Sequence, residues 1–303
     1  MDSKKIRKSL GRFVGWISLV TVSLIIKAIP DKGLYSFAEG ISALGYRCAA
    51  RQRKIALESL TIAFAGTKGA AEIDAIAQDC FTYMAKSAIE VMFLMDKPQL
   101  MRSRISLEGK EHLDGALAKG KGVILVSAHF GNFPLLLARL ALDGYKTSGI
   151  MRPMRDMRVE KIFLEKRNRY KVKTIYSQPR STCVNGTIET LRNNEIVFIP
   201  IDQNFGTAGV FVDFFGRKAA TATGPVVFAQ RTKAALLPCF IIRQHDDTHT
   251  IVFEPPIPLL EGKDAEETVR GNVQRLTDVI ERYIRRYPAE WGWIHRRWKS
   301  QQS

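Results

Sequence analysis

The spacing of apolar positions along the 303-residue chain changes once, near Pro98. From Gly33 to Leu94 apolar residues recur at helical intervals. "LYSFAEGISALGYRCAARQRKIALESLTIAFAG" is broken by glycines, and "AAEIDAIAQDCFTYMAKSAIEVMFLMD" reads as a longer amphipathic helix that stops before Pro98. Beyond Pro98, short apolar runs alternate with helical stretches. Strands are expected at "GVILVSA" (122–128), "KTSGIMR", "KVKTIY" and "EIVFIPID", with helices at "FPLLLARLALDGY", "DMRVEKIFLEKRNRY" and "TCVNGTIETLRNN" between them. A Gly- and Phe-rich loop follows, then a helix at "TGPVVFAQRTK". Two strands, "ALLPCFIIRQ" and "THTIVFEPP", are joined by the polar turn His245-Asp246-Asp247, and a last helix runs from about Asp264 to Tyr287. This alternation predicts an α/β class, a mixed but mostly parallel sheet flanked by helices. No repeat or low-complexity linker interrupts it. The expected organisation is a segment 1–30 ahead of one domain over 31–303, with a helical lead-in at 31–97 and the α/β core at 98–303. In such sheets ligands bind beyond the carboxyl ends of the strands, and His129, Arg152 and Asp202 each fall just past a predicted strand end.

At the N-terminus, Lys4, Lys5, Arg7, Lys8 and Arg12 precede an uncharged stretch from Phe13 to Ile26. That stretch is short for a membrane span, which needs about 20 apolar residues. It has no small-x-small cleavage site after it, and a buried core helix would share its composition. The expected arrangement is a helix lying in or dipping into a cytoplasmic leaflet, with Trp16 near the interface and the basic cluster on anionic headgroups.

Charge adds a partner class. The chain has 46 Lys and Arg against 30 Asp and Glu, a formal +16. Such a field attracts polyanions: nucleic acid, an anionic membrane face, phosphorylated lipids or an acidic carrier protein. No nucleic-acid-reading motif accompanies the charge, so nucleic acid is not an expected partner. Cys48, Cys80, Cys183 and Cys239 are far apart, and the five histidines are scattered. Reduced thiols in a cytosolic compartment and no metal site are expected.

Three segments carry candidate chemistry. In "SAHFGNFP", His129 ends a buried strand and Gly131-Asn132 opens a helix whose N-terminus suits a developing oxyanion. The structural alternative has His129 satisfying a turn, Asn132 capping the helix and Pro134 in its first turn. In "IPIDQNFGTAGVFVDFFGRKAATATG", Asp202-Gln203-Asn204 closes a strand. Phe205, Phe211, Phe214 and Phe215 then either fold over an apolar ligand or form a hairpin on the core. The third segment is basic: Arg152, Arg155, Arg158, Lys161, Lys166, Arg167, Arg169, Lys171, Lys173 and Arg180 fall within thirty residues. They form either a solvated helix face or an anion-binding surface. The C-terminal "WIHRRWK" sets Arg296, Arg297 and Lys299 between tryptophans, a pattern suited to a headgroup interface or to base stacking.

Taken in order, these residues resemble the bacterial late acyltransferases of lipid A biosynthesis, the lauroyl and myristoyl acyltransferase family that also includes acyltransferases of other glycolipids. The matching features run from about residue 10 to 299: a basic, apolar N-terminal segment, "HFGN" after a buried strand, Arg152-Pro153, "DQN" at Asp202, "FFG" at Phe214-Phe215-Gly216 with "TGP" downstream, and "WGWIHRRWK". The resemblance implies a glycerolipid-acyltransferase-like fold and a monotopic position or single N-terminal anchor on the cytoplasmic face of the bacterial inner membrane. It implies transfer of a fatty acyl chain from an acyl carrier protein thioester to a hydroxyl of an anionic lipid acceptor, without metal or organic cofactor. His129 is then the expected general base, an imidazole of pKa near ~6.5 taking the hydroxyl proton. Asn132, Arg152, Arg167, Gln203, Phe215, Arg217 and Arg297 are the expected substrate contacts. One position departs from the family motif H-x-x-x-x-D/E: five residues after the histidine this chain has Pro134 instead of a carboxylate. Three possibilities stay open at this point. Asp202 supplies the carboxylate from a neighbouring strand end, a backbone carbonyl orients the ring, or the protein is catalytically degenerate and binds anionic lipid only.

Overall fold

The computed structural model describes residues 3–300, the side chains of residues 3–8 and of Lys32 apart. Helices α1 (Ser3–Ala28), α2 (Leu34–Cys48), α3 (Ala50–Ala63) and α4 (Ala70–Leu94) make the helical lead-in. Next come α5 (Pro98–Arg104), β1 (Ile105–Glu108) and α6 (Lys110–Leu117), which the apolar pattern leaves undivided. Each is too short to display a period over the window that periodicity needs. The core continues with β2 (Val123–Ser127), α7 (Phe133–Leu142), β3 (Thr147–Met151), α8 (Met157–Arg169), β4 (Lys173–Tyr176), α9 (Arg180–Arg192) and β5 (Ile196–Pro200). It closes with β6 (Val210–Phe214), β7 (Arg217–Thr221), α10 (Gly224–Thr232), β8 (Ala235–Arg243), β9 (His249–Phe253) and α11 (Ala265–Arg286).

Seven strands form one sheet in the order β1-β9-β8-β2-β5-β3-β4. All neighbours are parallel except β8 and β9, which pair antiparallel, Ile241 facing Ile251. The central strands are apolar on both faces because helices cover both. Ile124 and Val126 of β2, Val197 and Ile199 of β5, and Leu236, Phe240 and Ile242 of β8 join one core with α3, α10, α11 and the C-terminal tryptophans. Their alternates Val123, Leu125, Ile196, Phe198, Leu237, Cys239 and Ile241 join a second core with α5, α6 and α7. This is the predicted class, a mixed and mostly parallel sheet flanked by helices. The Gly- and Phe-rich segment is a β-hairpin, β6 with β7, and not an open loop. Phe214 and Phe215 at its tip are buried against α11 and the tail.

The N-terminal helix is longer than its uncharged stretch. Its apolar part runs Ser9–Ala28, twenty residues, because Arg12 and Lys27 are accommodated at its ends. By length alone it reaches across a bilayer, which corrects the shorter count from Phe13 to Ile26. The basic side chains of Lys4, Lys5, Arg7 and Lys8 lie outside the described residues.

The turn from β2 into α7 depends on one glycine. Gly131 has φ +56, and a Cβ there would run into the carbonyl oxygen of Ile241 on β8. Left-handed backbone costs an L-residue about 1–2 kcal/mol, and the clash adds to it. Gly131→Ala is therefore expected to destabilise the fold by about 2 kcal/mol or more, read as a lower denaturant midpoint at unchanged m-value. An unchanged midpoint would contradict this reading.

Candidate active site

His129 lies two residues past the end of β2, the strand flanked by β8 and β5. Its segment is clamped by the tail in antiparallel fashion. The Gly131 N–H donates to the Glu290 carbonyl at 2.9 Å, the Gly292 N–H donates to the His129 carbonyl at 3.1 Å, and Phe130 bridges Trp291. The imidazole ring rests edge-on against Phe133, which stacks on Phe198. About a third of the His129 side chain is exposed (35%), while that of Asp202 is wholly covered (0%).

Asp202 comes from the end of β5 and holds His129 Nδ1 at 2.8 Å through Oδ1. Its other oxygen, Oδ2, accepts the Trp291 indole N–H at 2.7 Å. Burial would raise the carboxyl pKa. The charge and hydrogen bond of His129, the nearby His295 and the Trp291 donor together outweigh burial and hold it well below the usual carboxylate range. The same pairing acts on the ring. Burial would lower the imidazole pKa, and Asp202 overrides it, so His129 stays protonated to a higher pH than an ordinary histidine. A carboxylate acceptor at Nδ1 fixes the proton there and leaves Nε2 as the free lone pair in the neutral ring. This is the arrangement a general base needs, and it supplies a carboxylate that Pro134 does not.

Below the histidine lies a second buried acid. Glu90 of α4 accepts from Arg243 at 2.5 and 2.8 Å, faces His249 Nε2 at 3.1 Å and accepts the Asn132 amide at 2.9 Å. Burial opposes its charge, and His249 and Arg243 outweigh it, leaving its pKa at about 2. Asn132 occupies the N-cap position just before α7, but its side chain makes no capping bond; its amide goes across to Glu90 and to the Ser87 carbonyl. Pro134 does sit in the first turn of α7, as the structural alternative had it.

With this geometry in place, comparison with known proteins is informative. The family model for bacterial lipid A biosynthesis acyltransferases matches residues 1–300. The chain belongs to this family. Two Escherichia coli proteins, a lipid A biosynthesis lauroyltransferase and a palmitoleoyltransferase, are each 24% identical to it over 94% of this chain, spanning 91% and 90% of their own lengths. A phosphatidylinositol mannoside acyltransferase of Mycobacterium tuberculosis is 27% identical over 63% of this chain and 58% of its own length. The chain is thus an acyltransferase with a mostly parallel α/β fold.

The other expected contacts of this acyltransferase divide by exposure. Arg152, Gln203 and Arg217 are exposed, the first two just past β3 and β5. Asn132 and Phe215 are buried. The Arg167 guanidinium is committed to Glu160 at 2.7 Å and to Thr174 at 2.9 Å. Arg297 is 1% exposed and donates to the carbonyls of Gln203 and Ala220 and to the Thr221 hydroxyl. Both arginines thus brace the chain through these bonds, while the buried Arg297 Nε has no partner among the described residues.

The C-terminal tail departs further from its expected place. Trp291 and Trp293 are core residues and Trp298 donates to the Phe214 carbonyl at 3.2 Å, so the aromatic rings face inward and not toward headgroups. The sequence does not single out Trp291, His295 and Glu290, which the structure places beside the His129–Asp202 pair. Aromatic-basic alternation does not tell which side chains turn inward, and the "WGW" pair was the only signal.

Glu290 is buried, and among the described residues its carboxylate accepts only the Arg243 backbone N–H, at 3.1 and 3.2 Å. Burial pushes its pKa up to about 8, with the Arg243 N–H and charge countering only in part. A carboxyl with a raised folded pKa binds its proton more tightly when folded, so stability falls as pH rises from its unfolded value toward 8. Glu290→Gln is expected to match the parent's stability below the ordinary carboxyl range and to exceed it increasingly up to pH 8, the difference growing by at most about 1.4 kcal/mol per pH unit and read as a widening gap in Tm. Parallel Tm-against-pH curves for the two proteins would refute the assignment.

Proposed function

We propose that this acyltransferase moves a fatty acyl chain from an acyl carrier protein thioester to a hydroxyl of an anionic glycolipid, a lipid A precursor or a related acceptor, at the cytoplasmic face of the bacterial inner membrane. The observation that carries the reading is the His129–Asp202 pair, with the imidazole partly open and its carboxylate sealed beneath it. Neutral His129 takes the acceptor hydroxyl proton at Nε2 as the oxygen attacks the thioester carbonyl. The oxyanion forms near the start of α7, where the positive end of the helix dipole favours negative charge. Collapse breaks the carbon–sulfur bond, and the imidazolium returns its proton to the departing thiolate. Asp202 holds the tautomer and the imidazolium throughout and stays ionised.

Both substrates suit the chain's charge. Acyl carrier protein is acidic and lipid A precursors carry phosphates, which the +16 chain attracts. The named relatives act on glycolipids of two kinds, lipid A and phosphatidylinositol mannosides, which supports a glycolipid acceptor. The alternative of a catalytically degenerate lipid binder has less support, since binding alone requires no buried carboxylate under a half-open imidazole.

Transfer from labelled acyl carrier protein to a lipid A precursor in purified membranes tests the reading. His129→Ala is expected to lower the rate by about 10²–10⁴-fold, and Asp202→Asn by a similar factor with the histidine intact. Activity requires the neutral ring, so it rises with pH through the raised His129 pKa. Loss of the Asp202 charge leaves burial to act alone and moves that limb to lower pH. A folded His129→Ala protein with undiminished transfer would refute the role of the histidine.

A further inference from the structure

Twenty apolar residues at 1.5 Å each match the hydrocarbon thickness of about 30 Å, so the length of α1 admits both an upright and a flat disposition in a bilayer. The two faces of α1 are not equivalent. Trp16, Leu19, Val20, Val22 and Ser23 are partly covered, and Ile26 is buried among residues of α2 and α4. Leu10, Phe13, Val14, Ile17, Leu24 and Ile25 are exposed. At 100° per residue those six fall in one stripe about 120° wide, opposite the covered face. Arg12 and Lys27 project from the other half of the helix.

The neighbour of α1 decides between the two dispositions. The Arg158 guanidinium of α8 sits over the Trp16 ring at 4.6 Å and the Phe13 ring at 5.4 Å, while paired with Asp156 at 2.6 Å. The midpoint of Ser9–Ala28 falls between Ser18 and Leu19, which places Trp16 about 4 Å from the bilayer centre in an upright helix. Arg158 and Asp156 would then enter the hydrocarbon together with exposed Arg155 and Lys161, where charged side chains are excluded. A flat helix avoids this, immersing the stripe and leaving the start of α8 at headgroup level. Met154 and Met157 flank that start; Met157 is 70% exposed, and both are flexible apolar side chains that adapt to a soft surface.

We propose that α1 lies in the plane of a bilayer bearing anionic headgroups, with Leu10, Phe13, Val14, Ile17 and Leu24 immersed and Met154 and Met157 forming a second apolar foothold beside them. The proposal rests on the membrane reading above and specifies its geometry: Arg155 and Lys161 then meet lipid phosphates. The test uses the full chain with Cys48→Ser and Cys183→Ser, and a nitroxide placed in turn at Leu10→Cys, Ile17→Cys, Leu24→Cys and Met157→Cys. The proteins are bound to phosphatidylglycerol–phosphatidylcholine vesicles, and depth is read from oxygen against nickel-chelate accessibility. All four labels are expected at similar shallow depth, within about one helix radius of each other, roughly 5 Å. Met154→Glu with Met157→Glu is expected to weaken vesicle partitioning several-fold at an unchanged unfolding midpoint. A depth maximum near Ile17 with Leu10 and Leu24 toward opposite leaflets overturns the flat orientation while leaving membrane attachment standing. Unchanged partitioning of the double variant overturns the foothold, and a chain that stays in the supernatant overturns both the orientation and the membrane reading beneath it.

Discussion

Asp202 holds a negative charge with no exposed side-chain surface, and an uncompensated charge in such a place costs several kcal/mol. Compensation comes from two directions at once, the His129 ring and the Trp291 indole. Neither partner is local in sequence. His129 is delivered by β2 and Trp291 by the tail, and the antiparallel pairing of residues 129–131 with 290–292 sets them in register. Packing at this point is therefore over-determined. A slip of the tail by one residue would reverse the faces of its side chains and leave the carboxylate without its donor. The same constraint that stabilises the fold fixes the orientation of the His129 imidazole.

A second buried acid, Glu90, works in the opposite direction from the first. It gathers Arg243, His249 and Asn132, tying α4 to β8, β9 and the start of α7. Lys86 and Asp247 extend this network toward solvent at 3.1 Å. Asp202 sets the electrostatics of the ring, and Glu90 sets the direction in which the helix after it departs. Two carboxylates at similar burial thus hold different partners, one an imidazole at a strand end and the other a network that joins helix to sheet.

Much of this was legible in the residues. The alternation after Pro98 gave the sheet class, because buried parallel strands read as short continuous apolar runs between helices. Asp202 was a candidate because the run "EIVFIPID" ends a strand beside the one that ends at His129. The tail was not legible. An irregular segment has no period, so nothing in "WGWIHRRWK" distinguished Trp291 and Arg297, which turn inward, from Arg296 and Lys299, which stay exposed. Residue type alone does not tell that Arg167 and Arg297, expected as substrate contacts, hold internal partners, because guanidinium groups with several donors are the cations most readily buried against carbonyls and carboxylates. The uncharged stretch understates the extent of α1 because Arg12 and Lys27 interrupt it near its ends, although long side chains reach away from an apolar helix axis.

The distribution of the site along the chain has a consequence for synthesis. Residues near 129, 202 and 291 must all be present before the carboxylate is sealed and the imidazole held, and chains emerge N-terminal end first, at about 5–20 residues per second. The helix α1 is complete long before, after its last residue, Ala28. A growing chain of this protein thus has its apolar helix made while its imidazole is still unsupported, and the His129–Asp202–Trp291 set is complete only when the C-terminal segment folds back onto the sheet. Placement precedes reactivity, and the aromatic tail acts as the closing latch.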